Sequence, residues 1–157
     1  MRLCTAFILV LILAGCSAKP TEPAAARFER SVISVPSEHS VAETLDKLEQ
    51  ALSQKGMKIF TRIDHSAGAI SVGKQLRPTA LLIFGNPKVG TPLMQCDQTA
   101  ALDLPQKALA WQDESGQVWL SYNSPAFLAQ RHQLTNCAET IAKIEKALAN
   151  FARVATN

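Results

Sequence analysis

Six polar side chains between residues 65 and 132 are of types that bind small ligands or transfer protons. Imidazole, amine and phenol groups act as general acids or bases when a second group lies within hydrogen-bond reach. The sequence therefore predicts a candidate ligand pocket in which these side chains converge. The alternative is that the histidines only cap helices and form structural hydrogen bonds. The candidate residues are His65, Lys88, Lys107, Tyr122, Arg131 and His132.

Other chemistries have weaker support in the residue pattern. The histidines lack the close spacing of HxxxH or HExxH, so no metal site and no cofactor is predicted. The sequence contains neither a GxSxG elbow nor a CxxC pair. We therefore assign no catalytic residue and expect a protein without catalysis, with an enzyme as the alternative.

The stretch FGNPKVGTPLM combines two glycines and a lysine after an apolar run. Gly85 and Gly90 have the spacing of a phosphate-binding loop, but the Lys-Ser/Thr ending of that motif is missing. The pattern predicts a turn from a strand into a short helix, with Thr91 as N-cap and Pro92 as the first helical residue. The alternative is a weak anion or carboxylate site formed by Lys88 and the amides near Gly90.

The cysteines also predict a covalent feature. Once Cys4 leaves with a signal sequence and Cys16 is lipidated, Cys96 and Cys137 remain as a pair in an exported, oxidising compartment. A bridge would close about 40 residues and contribute about 4 kcal/mol in the chain-entropy model. The alternative is two separate buried thiols.

The N-terminus has the pattern of an export signal. Residues 3–15 are almost wholly apolar but too few to span a bilayer, which takes about 20 residues. The segment LAGC resembles the lipobox of bacterial lipoproteins, which implies cleavage between Gly15 and Cys16 and lipidation of Cys16. The alternative is an ordinary signal peptide with a chance cysteine. Partner predictions are the membrane through this anchor and an unknown small ligand or envelope protein.

Three segments follow from this interpretation. Residues 1–15 form the signal peptide, residues 16–28 the lipidated cysteine and an Ala/Pro-rich tether, and residues 29–157 one domain. Ser17 is not the Asp that retains lipoproteins on the inner membrane, which favours a periplasm-facing position on the outer membrane. The formal net charge of +3 is too small to predict a nucleic-acid partner.

Periodicity predicts the elements that position these residues. Five segments have the alternation typical of strands: SVISV, MKIFTRID, PTALLIFG, KALAWQ and QVWLSY. The last two are predicted to form a hairpin around DESG. Amphipathic helices are predicted after the cap at Ser40 and near the C-terminus, with short helices at LMQCDQ and PAFLAQR. The two-layer rule then predicts an α+β domain: one antiparallel sheet of about five strands with helices packed on one face.

Three blocks in the middle of the chain support a family assignment. The blocks are LRPTALLIFGNPKVGTPLM, ALDLPQKALAW and GQVWLSYNSPAFLAQRHQL. Together they resemble the domain-of-unknown-function 302 family. The resemblance implies a TATA-binding-protein-like fold with element order β-α-β-β-β-β-α. It brings no established activity, although some members are associated with redox or sulfur metabolism. Cys96 and Gln106 depart from the family pattern, which has a small residue and a leucine at these positions.

The leading functional hypothesis is a lipid-anchored envelope protein that binds a small ligand or an envelope partner without catalysis. The first alternative is an enzyme or an accessory of redox or sulfur metabolism that uses a His/Lys/Tyr pocket. The second is a structural interaction module.

Overall fold

The protein, seen here as a computed structural model, is described over residues 31–157. The predicted signal peptide, the lipidation site at Cys16 and the tether lie outside the described residues. They stay predictions from the sequence.

The five strands form one antiparallel sheet in the order β1-β5-β4-β3-β2. This confirms the predicted α+β class and the β-α-β-β-β-β-α order, to which the structure adds short helices in the connections. The elements are β1 Val32–Ser37, α1 Val41–Gln54, β2 Lys58–Asp64, α2 His65–Ser71, β3 Thr79–Gly85, α3 Pro87–Cys96, a 3₁₀ helix Gln98–Leu102, β4 Gln106–Gln112, β5 Val118–Asn123, α4 Pro125–Arg131, a 3₁₀ helix Thr135–Cys137 and α5 Ala138–Thr156.

The long helices α1 and α5 bury one apolar face each. Helix α1 begins at the predicted capping box, in which the Ser40 hydroxyl accepts from the Glu43 amide and the Glu43 carboxylate accepts from the Ser40 amide. Its buried face meets strand residues such as Leu82 and Leu120, which are 0% and 1% exposed. The buried apolar residues of the two helices include Val41, Leu45, Leu48, Leu52, Ile141, Ile144, Leu148 and Phe151.

The opposite faces of α1 and α5 carry charged side chains that meet solvent. Asp46 pairs with Arg62 of β2 at 2.6 Å, and Glu139 pairs with Lys143 along α5. Helices with one apolar and one charged face are typical of domains in water. Within residues 31–157, no helix combines the length and the apolar character needed to cross a membrane.

The structure corrects the predicted start of α3. The predicted cap at Thr91 and Pro92 is wrong, because the helix already begins at Pro87 and both residues lie inside it. The Asn86 side chain accepts a hydrogen bond from the Lys88 amide at 2.9 Å and so serves as the N-cap. An Asn-Pro pair has the same capping chemistry as Thr-Pro and comes first in the chain.

The predicted hairpin joins β4 to β5 and stacks two tryptophans across it. The rings of Trp111 and Trp119 lie 6.4 Å apart between centroids, at an angle of 24°. The Asp113 carboxylate organises the turn, since it accepts from the amides of Ser115 and Gln117 and from the Trp119 indole. Hydrogen bonds from Ser115 and Trp119 lower the pKa of Asp113 from 3.8 to about 2.

This carboxylate should make stability depend on pH. A group with a lower pKa in the folded state stabilises the fold above its unfolded pKa of 3.8, and that stability disappears as the pH falls toward 2. We expect urea unfolding to show a smaller loss over this acid range in Asp113→Asn than in the wild type. The control Glu114→Gln, at an exposed neighbour, should keep the wild-type slope. Parallel profiles for wild type and Asp113→Asn would contradict the prediction.

Candidate functional site

A cavity of about 680 Å³ opens between one end of the sheet and the helices α3 and α5. Its floor is formed by buried apolar side chains, including Phe84 and Leu93. Phe60 lines it from β2, and Ala147 and Phe151 line it from α5. Such a volume lies in the range of small-molecule sites, so the cavity is the main candidate site in the described part of the chain.

Lys88 lines this cavity, but the loop amides cannot join it in the anion site that the sequence offered as an alternative. The amides of Val89 and Gly90 both donate to the Asn86 carbonyl at 2.9 Å, as the first turn of α3 requires. They are therefore unavailable to an anion.

A second cluster is polar and nearly buried, and it centres on Asp103. His132 Nε2 lies 2.6 Å from Asp103 Oδ2, and the two side chains are only 5% and 12% exposed. The other ring nitrogen, Nδ1, lies 3.0 Å from Thr99 Oγ1. Thr99 Oγ1 in turn donates to Asp97 Oδ1 at 2.6 Å. Hydrogen bonds from Thr99 and the charge of His132 lower the pKa of Asp97.

The order Asp103, His132, Thr99 matches the acid-base-hydroxyl order of a catalytic triad, but the geometry gives it a structural role. A nucleophilic hydroxyl must pass its proton to the histidine. The single proton of Thr99 is directed at Asp97 and not at the histidine. Both ring nitrogens are occupied by protein groups, which leaves the ring no free position for a substrate.

Two of the predicted cations complete this cluster from outside. Arg131 Nη1 lies 3.1 Å from Asp103 Oδ1 and is half exposed. Lys107 donates to the backbone carbonyls of Asp103 and Pro105 at 3.3 and 3.1 Å. Both cations therefore hold the loop that carries Asp103. No group of three or more His, Cys, Asp or Glu side chains within residues 31–157 could hold a metal ion.

His65 lies at the far end of the sheet from this cluster. It follows Asp64, which pairs with Ala80 of β3, whereas Lys107 pairs with Ile83. The separation along β3 is about 10 Å. The Asp64 side chain caps α2, so it does not orient the histidine.

Tyr122 is buried on the helix-facing side of β5. Burial raises the pKa of this phenol, and the negative charge of Glu145 raises it further, so it stays neutral at physiological pH. The six predicted residues therefore do not line one pocket. Three meet at Asp103, Lys88 lines the cavity, and His65 and Tyr122 lie apart.

A disulfide joins Cys96 and Cys137, whose Cα atoms are 6.5 Å apart. It connects the last residue of α3 to the turn before α5, and both helices line the cavity. The Asp103 cluster links the same two regions of chain, residues 97–103 and residues 131–132. A covalent and a polar link thus hold this part of the structure together.

Sequence reasoning missed the residues that organise both features. Asp103 had a detectable signal, since it is a lone acid in the apolar stretch ALDLP, but its partner His132 is distant in sequence. The cavity residues Phe60 and Ala147 had no detectable signal in the sequence, because an aromatic residue in a strand and an alanine in a helix are common. Only the packing of α5 beside the sheet brings them together.

Comparison with known proteins corrects the predicted function. The chain is 53% identical over 112 residues to "Fluoride-specific ion channel FluC 1" of Brucella suis biovar 1 (strain 1330), covering 71% of this chain and 44% of the relative. It is also 53% identical over 112 residues to FluC 1 of Brucella abortus biovar 1 (strain 9-941) and to FluC 2 of Brucella melitensis biotype 1. Each of these matches covers 42% of the relative. The chain thus spans less than half the length of these relatives.

As a statement of function, the prediction of a lipid-anchored envelope protein that acts by binding a small ligand or an envelope partner is therefore wrong. Lipidation of Cys16 and the outer-membrane position are separate predictions that these relatives do not test. Its two alternatives, an enzyme or redox accessory and a structural interaction module, agree no better with relatives named as ion channels.

The fold comparison agrees with the family predicted from the sequence blocks. A crystal structure of an uncharacterized conserved protein DUF302 from Bacillus stearothermophilus superposes with a TM-score of 0.72 at 21% identity, covering 80% of this chain and 98% of that one. This likeness shows a shared fold. The model of the family "Domain of unknown function DUF302" matches residues 33–151. On this match, which covers most of the chain, the protein belongs to the DUF302 family.

Proposed function

We propose that this chain functions in fluoride transport, as a DUF302 domain that acts together with a fluoride-specific ion channel. The observation that carries the proposal is the 53% identity over 112 residues to relatives named as such channels. The match covers 112 residues, and at most 30 of them can lie before residue 31. Most of the matched segment therefore lies within the described residues 31–157.

The domain itself supports a role beside the channel. Its long helices turn their charged faces outward, with ion pairs such as Arg62 with Asp46 and Lys143 with Glu139 on the surface. These faces suit contact with water. We therefore assign the described domain to the aqueous side of a channel, where it would influence channel assembly or activity.

Growth in fluoride tests this proposal. Deleting the gene for this chain in its own organism should lower the fluoride concentration that halves growth, while chloride tolerance stays unchanged. Fluoride retained in the cells, measured with a fluoride-selective electrode, should rise in the same strain. Unchanged fluoride tolerance and unchanged retention would overturn the proposal.

A pair of variants shows whether the folded domain is needed. Leu82→Asp places a carboxylate in the middle of the sheet, at a fully buried position, and should fail to restore fluoride tolerance. Ile70→Asp makes the same kind of change at a position that is 71% exposed and should restore it. Restoration by both variants would show that the folded domain is not required.

The signal sequence, the lipidation of Cys16 and the outer-membrane position remain separate sequence predictions. They concern residues outside the described part of the chain. Membrane fractionation of a Cys16→Ala variant checks the signal sequence and the lipidation, since this variant should lose normal processing and membrane association. Normal processing and fractionation of this variant would contradict the lipobox interpretation.

A further inference from the structure

The cavity between the sheet, α3 and α5 has a mainly apolar lining. Phe84, Leu93 and Leu148 form buried walls, at 1%, 2% and 6% exposure. Much of the remaining lining is also apolar, including Phe60 and Ala147. At about 680 Å³ the cavity can hold an alkyl chain of a dozen carbons or so, well within the usual size of ligand sites.

The charged side chains that line the cavity are both cations. Among the described residues that line it, the charged ones are Lys88 and Lys143, and both are exposed. Lys143 already pairs with Glu139 at 2.6 Å. Lys88 Nζ has no hydrogen-bond or ion-pair partner within residues 31–157, so it is available to a ligand. A negative head group at this position would gain a charge-assisted hydrogen bond.

We propose that this cavity binds a long-chain alkyl carboxylate, with the chain against Phe84 and Leu148 and the carboxylate at Lys88. The apolar walls supply affinity in proportion to the buried methylenes, and the lysine selects the sign of the head group. The inference goes beyond the proposed link to a fluoride channel, and it does not depend on that link because it uses only the cavity and its mouth.

Calorimetric titration of the full chain with sodium dodecanoate, below its micelle concentration, tests the inference. We expect saturable binding to one site, and each methylene removed in a series down to octanoate should weaken it about fourfold. Dodecyltrimethylammonium has the same chain with a cationic head and should bind more weakly. Absence of saturable binding, or equal affinity for the two head groups, would overturn the proposal.

Matched variants locate the site. Ala147→Trp fills the cavity from α5 and should weaken dodecanoate binding about tenfold or more, because the indole takes the space of several methylenes. Ala149→Trp makes the same change at an exposed position of α5 that does not line the cavity and should bind as the wild type does. Equal affinities in these two variants would place the ligand elsewhere and overturn the proposal.

Two further experiments test which head group is preferred and whether the ligand comes from solution or from a lipid surface. Lys88→Glu should reverse the preference between dodecanoate and dodecyltrimethylammonium, whereas Lys146→Glu, outside the cavity lining, should not. The chain should also bind dodecanoate in the absence of vesicles. Binding only to phosphatidylglycerol vesicles, with none to free dodecanoate, would indicate surface adsorption and overturn the proposal.

Discussion

Reduction of the Cys96–Cys137 disulfide is expected to lower the free energy of unfolding by about 4 kcal/mol. The bond closes a loop with a sequence separation of 41, so its loss frees the unfolded chain to sample many more conformations. The loop includes β4, β5 and α4, and its closure holds the end of α3 next to the start of α5. Urea unfolding with and without a thiol reductant measures the effect.

The matching control is the double variant Cys96→Ala with Cys137→Ala. It should unfold at a lower urea concentration than the oxidised wild type, and the reductant should not move its midpoint. Reaction of the unfolded, non-reduced wild type with a thiol reagent at both cysteines would contradict the disulfide itself. An unchanged midpoint after verified reduction would contradict the stability prediction.

Replacing His132 with alanine is expected to lower the free energy of unfolding by about 3 kcal/mol. The substitution removes the donor to Asp103 Oδ2, whose side chain is only 12% exposed, and leaves Thr99 without its ring partner. A nearly buried carboxylate that loses its partner bears the cost of its lost solvation. Chemical unfolding monitored by the fluorescence of the two tryptophans reports the change.

The neighbouring cation provides the control. Arg131→Ala removes the other charged partner of Asp103, but this side chain is about half exposed, so the expected loss is below about 1 kcal/mol. A double variant of His132→Ala and Asp103→Ala should lose less stability than the sum of the two single variants, since each single change already breaks the same contact. Additive losses would show that the two side chains are not coupled.

Local patterns predicted the elements of this fold well. The capping box at Ser40 and Glu43 formed as expected, and the hairpin at DESG brought Trp111 and Trp119 together. Both predictions depend on residues close in sequence, where the geometry of a turn or a helix leaves few alternatives. The start of α3 was wrong because two Asx/Thr-Pro caps compete within one short stretch, and propensity alone does not rank them.

The candidate site could not be predicted to the same degree. The histidine, lysine and tyrosine side chains were selected by residue type, which says nothing about distance. His132 forms a hydrogen bond with Asp103, which is 29 positions away in sequence. His65 lies at the other end of the sheet. The size of the cavity depends on the distance between α5 and the sheet near Phe60 and Phe84. That distance is set by the side-chain volumes of several elements packed together.

The sequence by itself determined the α+β class and the order of strands and helices, because these follow from hydrophobic period, caps and turns within short windows. Its three sequence blocks indicated the DUF302 family by resemblance, and the family model over residues 33–151 confirms that assignment. Only the tertiary structure decided which polar groups meet and where space is left. It turned Asp103, His132 and Thr99 into a closed hydrogen-bond chain and left Lys88 at the mouth of an apolar cavity. The physical reason is that such contacts depend on the packing of distant segments, which no local pattern of residues encodes.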